Sequence, residues 1–483
     1  MSNPSTEKFS AFLTDTLRTF HGKTAPTLIS YLIENDNFQV QKKLFQLSKN
    51  YEKFFYWEKP DEEFCFLALG ELFSITEHGK NRFTSTEKKV KNWIDNFCSN
   101  WGDENKNIPL FIGGMKFLSE SEPDLWENYS DSCWTVPKIL IQKKGKKEYI
   151  IYNFLFSPES SAEGISIHQQ KTDYQKEKII EEFEFRIAHL YAEDNNNISD
   201  SKIKIISSYG KGPKEKKKWI ESVKKAINKI ESDNIKKVVL SRYMEFGLDS
   251  EINIFKFIEK FRIDYPECYI FIFHSGISTF FGASPEKLLK LMSDYVETDS
   301  LAGSAPRGKN NPEDKVLEDE LLSSTKNLFE HRTVIEFIEK QFSKMNIQIT
   351  FNSVPLIKKL NNIQHLFTNI RADINPKGTT FNLLEHLHPT PAVCGVPTPE
   401  AMQLIRELEN YSRGLYTGLL GWFNFSGEGE FTVAIRSALL KGKKLYLFAG
   451  SGIVEGSDPA SEFKETELKF KPILSLIENE EES

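Results

Sequence analysis

Four glycine-framed segments in the second half of the chain carry the residues whose types and spacing suit chemistry. They are Phe-Gly-Ala-Ser-Pro-Glu at 281–286, Ser-Leu-Ala-Gly-Ser-Ala-Pro-Arg-Gly at 300–308, His-Pro-Thr-Pro-Ala-Val at 388–393 and Ala-Gly-Ser-Gly-Ile-Val at 449–454. Small residues let backbone amides approach a ligand closely, and a neighbouring charged or polar group can then act on it. Lys237 heads the apolar run Val238-Val239-Leu240, and Arg436 follows Thr432-Val433-Ala434-Ile435 in the same way. Charges at the ends of apolar strands describe an enclosed site for a small anionic molecule.

Carboxylates add a second theme. Glu330 follows Leu328-Phe329 on a helical stretch, and Glu462 and Glu465 are spaced to share one face of a closing helix. Acidic residues from separate helices, with no cysteine nearby, suit a hard oxygen-seeking ion such as Mg²⁺. On spacing alone, ordinary solvated helix glutamates are the better reading. His386 and His388 beside Glu385 have the look of a metal pair, but they sit where a helix ends at Pro389, which favours a core or capping role. Gly450 to Gly456 departs from the dinucleotide-binding spacing, and the glycines around Lys211 lack the phosphate-loop pattern.

These residues need elements to hold them. Residues 1 to about 50 read as helical, and 55 to 154 as β-rich, with a hairpin from Val136–Ile141 through a Lys-Gly-Lys turn into Tyr149–Tyr152. Helical periodicity runs from Tyr174 to Leu190, and the polar stretch around Glu193-Asp-Asn-Asn-Asn reads as a linker. Beyond it, helices and strands alternate. Lys214–Ser232 reads as an amphipathic helix, Lys237–Phe246 as a strand, and 287–292 with 295–301 as a hairpin. Pro312–Phe342 is one long helix or a broken pair, strands follow at 362–374, 418–425, 430–440 and 444–449, and a helix closes the chain from about 460. The expected fold class is α+β with largely antiparallel sheets. The expected division is an N-terminal portion at 1–200 packing on a catalytic portion at 201–483.

Composition narrows the classes. The 483 residues are 39% hydrophobic and 27% charged, enough for a globular protein with a large core, and the 38 phenylalanines point to aromatic-rich packing. A net charge of −7 disfavours a nucleic-acid partner, and the lysines from 211 to 225 read as a solvated helix face. No apolar run approaches the ~20 residues of a membrane helix and no secretory leader is seen, so a cytoplasmic location is expected. The five cysteines are odd in number and scattered, which argues for reduced thiols.

Taken in order, Val238-Val-Leu-Ser-Arg242, Gly282-Ala-Ser-Pro-Glu286, Leu301-Ala-Gly-Ser304, His388-Pro-Thr-Pro-Ala392, Gly421-Trp, Ile435-Arg436 and Phe448-Ala-Gly-Ser-Gly-Ile453 resemble the chorismate-utilising enzyme family, and within it the isochorismate synthases. The resemblance is strong over about 200–475. Over the first 150 residues it is one of general style, with Phe55-Tyr-Trp-Glu-Lys-Pro resembling the longer menaquinone-pathway members.

The resemblance implies an α/β sandwich of large, mainly antiparallel sheets with peripheral helices and the site between them. It implies that Lys237 activates the attacking water and that Glu286 protonates the departing C4 hydroxyl of chorismate. Glu330 and Glu465 resemble the Mg²⁺ ligands, and Arg436, Gly450, Gly452 and Lys469 resemble carboxylate holders. Gly303 would lie against the substrate and His365 near the leaving hydroxyl. Lysine at 237 and alanine at 302 point to water rather than ammonia as nucleophile, so no glutamine amidotransferase subunit is expected; nor is a membrane partner. Ala392 favours stopping at isochorismate over onward loss of pyruvate. The implied activity is a Mg²⁺-dependent isochorismate synthase serving menaquinone, with a salicylate synthase of siderophore supply or a non-catalytic chorismate-binding homologue as the alternatives. A monomer is the default.

Overall fold

Most strands of this protein are apolar on both faces, and the alternation of side chains along them sorts residues into separate layers. In the strand Lys53–Lys59, Phe54 and Tyr56 enter one cluster while Phe55 and Trp57 enter another. The neighbouring strand Phe64–Glu77 repeats the pattern, with Cys65, Leu67 and Leu69 on one side and Phe66 and Ala68 on the other. Strands buried on both faces belong between layers, and a sandwich follows. The computed structural model describes residues 4–20, 25–35, 38–101, 107–119, 125–157, 165–192, 204–375 and 378–482.

The described strands join into one hydrogen-bonded ribbon. From neighbour to neighbour it runs from Ile205–Tyr209 through Lys237–Leu248, Lys444–Val454, Ser437–Lys441, Ser278–Ser284, Tyr269–Ser275 and Lys53–Lys59 to Phe64–Glu77. It continues through Ser132–Lys144, Phe111–Met115, Leu419–Phe423, Gly429–Val433, Lys287–Leu291 and Val296–Pro306 to Ile363–Ala372. All of these pairings are antiparallel, whereas Thr27–Glu34 pairs in parallel with Phe97–Ser99 on a side branch. The fold is α+β, as the motif order implies.

An aromatic inner layer containing Trp57, Trp126, Phe271, Phe280 and Phe448 lies between the sheet faces. Helices cover the outside: Thr325–Lys344 packs through Val334, Ile335 and Ile338, and Pro213–Ser232 through Val223, Ala226 and Ile230. Truncating a fully buried ring such as Trp57 or Trp134 to alanine would cost about 3–5 kcal/mol. No helix among the described residues is long and apolar enough to cross a membrane.

Several elements differ from the sequence reading. The helical reading of the first 50 residues misses the strand Thr27–Glu34, whose Thr-Leu-Ile-Ser-Tyr-Leu-Ile run is β-branched and aromatic. The expected strand at 430–440 is two, Gly429–Val433 and Ser437–Lys441, broken around Arg436. The long helix is a pair, Asn311–Ser323 and Thr325–Lys344, with Ser324 capping the second by accepting from Asn327 N–H. The polar stretch from Glu193 lies outside the described residues. Strands of the first 200 residues pair directly with later ones, Lys53–Lys59 with Tyr269–Ser275 and Phe111–Met115 with Leu419–Phe423.

Candidate active site

The two ends of the ribbon face one cleft. Strands Lys237–Leu248 and Lys444–Val454 bring Lys237, Gly450 and Gly452, and strands Val296–Pro306 and Ile363–Ala372 bring Gly303 and His365. Helix Thr325–Lys344 packs against both ends and supplies Glu330. Of the ten residues singled out in the sequence, Glu286, Gly303, Glu330, His365, Arg436, Gly450, Gly452, Glu465 and Lys469 line this cleft, and Lys237 lies in its wall against Glu330. The cleft encloses about 630 Å³ including its mouth.

Lys237 is fully buried, with Nζ 2.8 Å from Glu330 Oε1. The pair is within ionic distance, but among the described residues no acceptor is aligned with the ammonium as a hydrogen bond. Local sequence explains the meeting. Val239 pairs with Gly452 across the strands, so Lys237, two residues earlier, projects on the face where position 452 has no side chain. A Cβ at Gly452 would stand 2.4 Å from Glu330 Oε1 and 3.0 Å from Lys237 Cε.

Glu286 lies between the strands Ser278–Ser284 and Lys287–Leu291. Its backbone carbonyl accepts from Thr432 Oγ1 at 2.6 Å and from Val433 N–H at 3.1 Å. These bonds fix the main chain and leave the carboxyl in the interior. Burial pushes its pKa up to about 7, against the opposing pull of nearby Lys237 and a long contact from Thr390 Oγ1. A carboxyl tuned this way is partly protonated near neutrality and can donate a proton.

Arg436 occupies the break between strands with φ +51°, a left-handed conformation. Its guanidinium is buried and donates from Nη2 to His365 Nε2 at 3.1 Å. Because arginine only donates, Nε2 must accept, which puts the ring proton on Nδ1, 2.9 Å from Ser304 Oγ. Burial, with Arg436 and Lys469 close by, holds His365 well below the ordinary histidine range, so it is neutral. Gly303 (φ +79°) forms the bulge between Ala302 and Ser304 that presents this strand's backbone to the cleft.

Glu465 pairs with Lys469 at 2.6 Å, and Lys469 Nζ donates to the Gly450 carbonyl at 2.9 Å. One turn earlier, Glu462 is buried, paired with Lys326 and accepting from Ser451 Oγ, each at 2.5 Å. Burial and the neighbouring Glu465 push Glu462 up, whereas for Glu465 burial is outweighed by Lys469, Lys326 and the Ser451 hydroxyl together, and the carboxyl is held down. Mg²⁺ takes one or two protein carboxylates and completes its shell with water and substrate oxygens. Glu330 and Glu465 in one cleft fit that donor set. No group of three or more His, Cys, Asp or Glu among the described residues could hold a metal ion, so ligand oxygens and water would have to complete the coordination.

Sequence reasoning did not single out Tyr416, Thr417 and Ser304, which also line the cleft. Thr417 has φ +59°, and the tyrosine hydroxyl stands where a Cβ on Gly450 would be 3.1 Å away. The signal was Tyr-Thr-Gly just before the Leu-Leu-Gly-Trp strand, a further small-residue run beside a polar group. His386 and His388 form no metal pair. His386 is half-buried and bonded to the Asn382 carbonyl, whereas His388 is buried near the rings of Phe83 and Phe117.

A largely antiparallel sandwich whose strand ends meet at a glycine-walled cleft, with Arg436 and Lys469 beside Glu286, Glu330 and Glu465, is built to hold a small charged molecule. Residues 15–478 match the family described as chorismate binding enzyme, and the chain belongs to that family. It is 30% identical over 435 residues to the isochorismate synthase MenF of Bacillus subtilis, covering 88% of each chain. It is 31% identical over 423 residues to the salicylate biosynthesis isochorismate synthase of Pseudomonas aeruginosa, covering 87% of this chain and 84% of that one. The solved menaquinone-specific isochorismate synthase of Escherichia coli superimposes with a TM-score of 0.75 over 97% of this chain and 99% of that one, at 23% identity, and shares the fold.

Proposed function

We propose that this protein is an isochorismate synthase, converting chorismate to isochorismate by addition of water at C2 and loss of the C4 hydroxyl. The observation that carries the reading is a buried carboxyl, Glu286, pushed up to about 7 within electrostatic reach of a fully buried lysine, Lys237, on a separate strand. Water must give up a proton at C2 while the departing hydroxide gains one at C4, and one base with one acid meets that balance. Lys237, in its neutral amine form, is assigned the first transfer, and Glu286, in its protonated form, the second.

Chorismate is a dianion, so its removal from water needs charge and donors in return. Arg436 and Lys469 supply the charge, and the backbone at Gly450 and Gly452 supplies close approach. His365, kept neutral and oriented by Arg436 and Ser304, is assigned a place beside the leaving group. Mg²⁺ held by Glu330 and Glu465 would draw electron density toward the ring carboxylate and favour attack at C2. Water as the nucleophile requires no amidotransferase partner.

We assign the product to menaquinone biosynthesis, supported by the two relatives named isochorismate synthase MenF, from B. subtilis and Haemophilus influenzae, each matched over 88% of this chain. The test is incubation with chorismate and Mg²⁺, products resolved by liquid chromatography and mass spectrometry, with an EDTA control. Isochorismate, of unchanged mass and shifted retention, formed only without EDTA, is the expected result. Salicylate with pyruvate would move the chain to the lyase branch, and unreacted chorismate would reduce it to a binding protein.

A further inference from the structure

A second cavity, of about 850 Å³ including its mouth, shares no lining residue with the active-site cleft. Its apolar surface comes from the sandwich's inner layer: Phe55, Ala68, Ile112 and Tyr129, with Phe273 packed on them. Phe273 meets Phe55 and Tyr129 edge to face, at 5.3 and 5.1 Å between ring centres. His274 stacks on Phe54 at 4.7 Å. Walls of this kind offer ring edges and faces to a flat guest. The cavity is held open by bonds of its own: the Tyr129 hydroxyl shares its one proton between the carbonyls of Phe273 and Ser278 and accepts from Phe280 N–H.

The polar lining sets the ligand's charge. Glu71 Oε2 receives Lys53 at 2.5 Å and Ser74 Oγ at 2.8 Å, and among the described residues Oε1 has no partner. Asn128 donates from Nδ2 to Ser278 Oγ and His274 Nδ1 is engaged with Thr279 Oγ1, and among the described residues Asn128 Oδ1 and His274 Nε2 have no partner. The carboxylate and amide oxygens are acceptors, and the cation Lys53 is already matched by Glu71. A carboxylate-bearing guest would meet unpaired oxygens here.

We propose that this cavity is a second small-molecule site, taking a flat, uncharged aromatic ligand that carries hydrogen-bond donors such as phenolic hydroxyls. The proposal does not depend on the reaction assigned to the cleft. A suitable probe is 2,6-dihydroxynaphthalene, with 2,6-naphthalenedicarboxylate as the anionic control of the same shape. Saturable binding of the diol at millimolar Kd or tighter is expected in ligand-observed NMR, with no saturable binding of the dicarboxylate. Ser74→Trp and Thr76→Phe, which place bulk at the cavity, should each weaken the diol at least tenfold while chorismate turnover, as an independent measure of folding, is unchanged. If either variant fails to fold, protection of Cys133, which lines the cavity and whose thiol is pushed up by burial, locates the ligand in the unmodified protein, read by peptide mass spectrometry at an alkaline pH where iodoacetamide labels it in the absence of diol. No saturable diol binding, equal binding to the folded variants, equal binding of the dicarboxylate, or unchanged Cys133 labelling at saturating diol would each overturn the assignment.

Discussion

Lys237 and Glu330 are each other's counter-ion, Nζ to Oε1 at 2.8 Å, so the proposed base and a proposed metal ligand meet inside one wall of the cleft. Removing the lysine should therefore act in two directions. Isochorismate formation by Lys237→Ala should fall about 10²–10⁴-fold, the usual worth of a positioned acid or base. Mg²⁺ should bind more tightly to the variant in a calorimetric titration, because a competing cation has left the carboxylate. Full turnover in a folded Lys237→Ala protein would end the base assignment, and weaker Mg²⁺ binding would end the electrostatic argument.

Glu286 makes a pH prediction with a definite sign. Its carboxyl titrates near 7 in the folded protein, up from the 4.5 of a free glutamate. Only the protonated form can serve as the acid, so kcat should decline about tenfold per unit once pH is well above 7. Between pH 4.5 and 7 the unfolded chain has released this proton while the folded protein keeps it, so stability falls as pH rises through that window. At pH 8 the fold therefore carries a penalty of about 3 kcal/mol at most, from a shift of that size. Glu286→Gln should be inactive yet more stable than wild type at pH 8, and no more stable at pH 4, by urea denaturation. A variant less stable at pH 8 would contradict this account of the buried carboxyl.

Gly452→Ala tests the wall itself. The added methyl would stand 2.4 Å from Glu330 Oε1 and 3.0 Å from Lys237 Cε. One of these side chains must move, and a misplacement of about 1 Å can cost 10²-fold in rate. Turnover should drop by about that factor with far-ultraviolet circular dichroism unchanged. Near-wild-type activity would mean that the Lys237–Glu330 contact does not matter to the reaction.

Much of this was legible in the chain because the chemistry sits in short segments whose order is linear. The strand opened by Lys237 and the hairpin after Glu286 stand where periodicity puts them. What pattern could not supply was the pairing of distant elements. Spacing alone favoured solvated glutamates at 330 and 465, and only packing of separate helices on the ribbon's ends brings both to one cleft. The break at Arg436 was hidden because Phe-Thr-Val-Ala-Ile-Arg-Ser-Ala-Leu-Leu reads as one strand, and the left-handed residue that interrupts it is not a glycine. The strand Thr27–Glu34 was lost among helical neighbours for want of a visible partner, which lies at Lys147–Phe156.

Arg413 and Glu409 make the most demanding stability prediction. The pair is almost fully buried, with Nη2 2.5 Å from Oε1 and Nε 2.8 Å from Oε2. The guanidinium also donates to the carbonyls of Val393 and Val239, at 2.8 and 2.7 Å, and Glu409 accepts from Ser241 N–H at 2.6 Å. Together they tie the strand opened by Lys237 to the His-Pro-Thr-Pro-Ala-Val segment. Glu409→Gln leaves a buried cation without its counter-ion, and should cost about 3–5 kcal/mol in urea denaturation. An isolated buried ion pair can often be replaced by two apolar residues with little loss. That rescue should fail here, because Arg413→Met with Glu409→Leu would strand Val239 O, Val393 O and Ser241 N in the interior, each at about 1–3 kcal/mol. The double variant is expected to be at least as unstable as the worse single one. Recovery toward wild-type stability would show that the pair acts as a plain ion pair and not as the clasp of these two backbone segments.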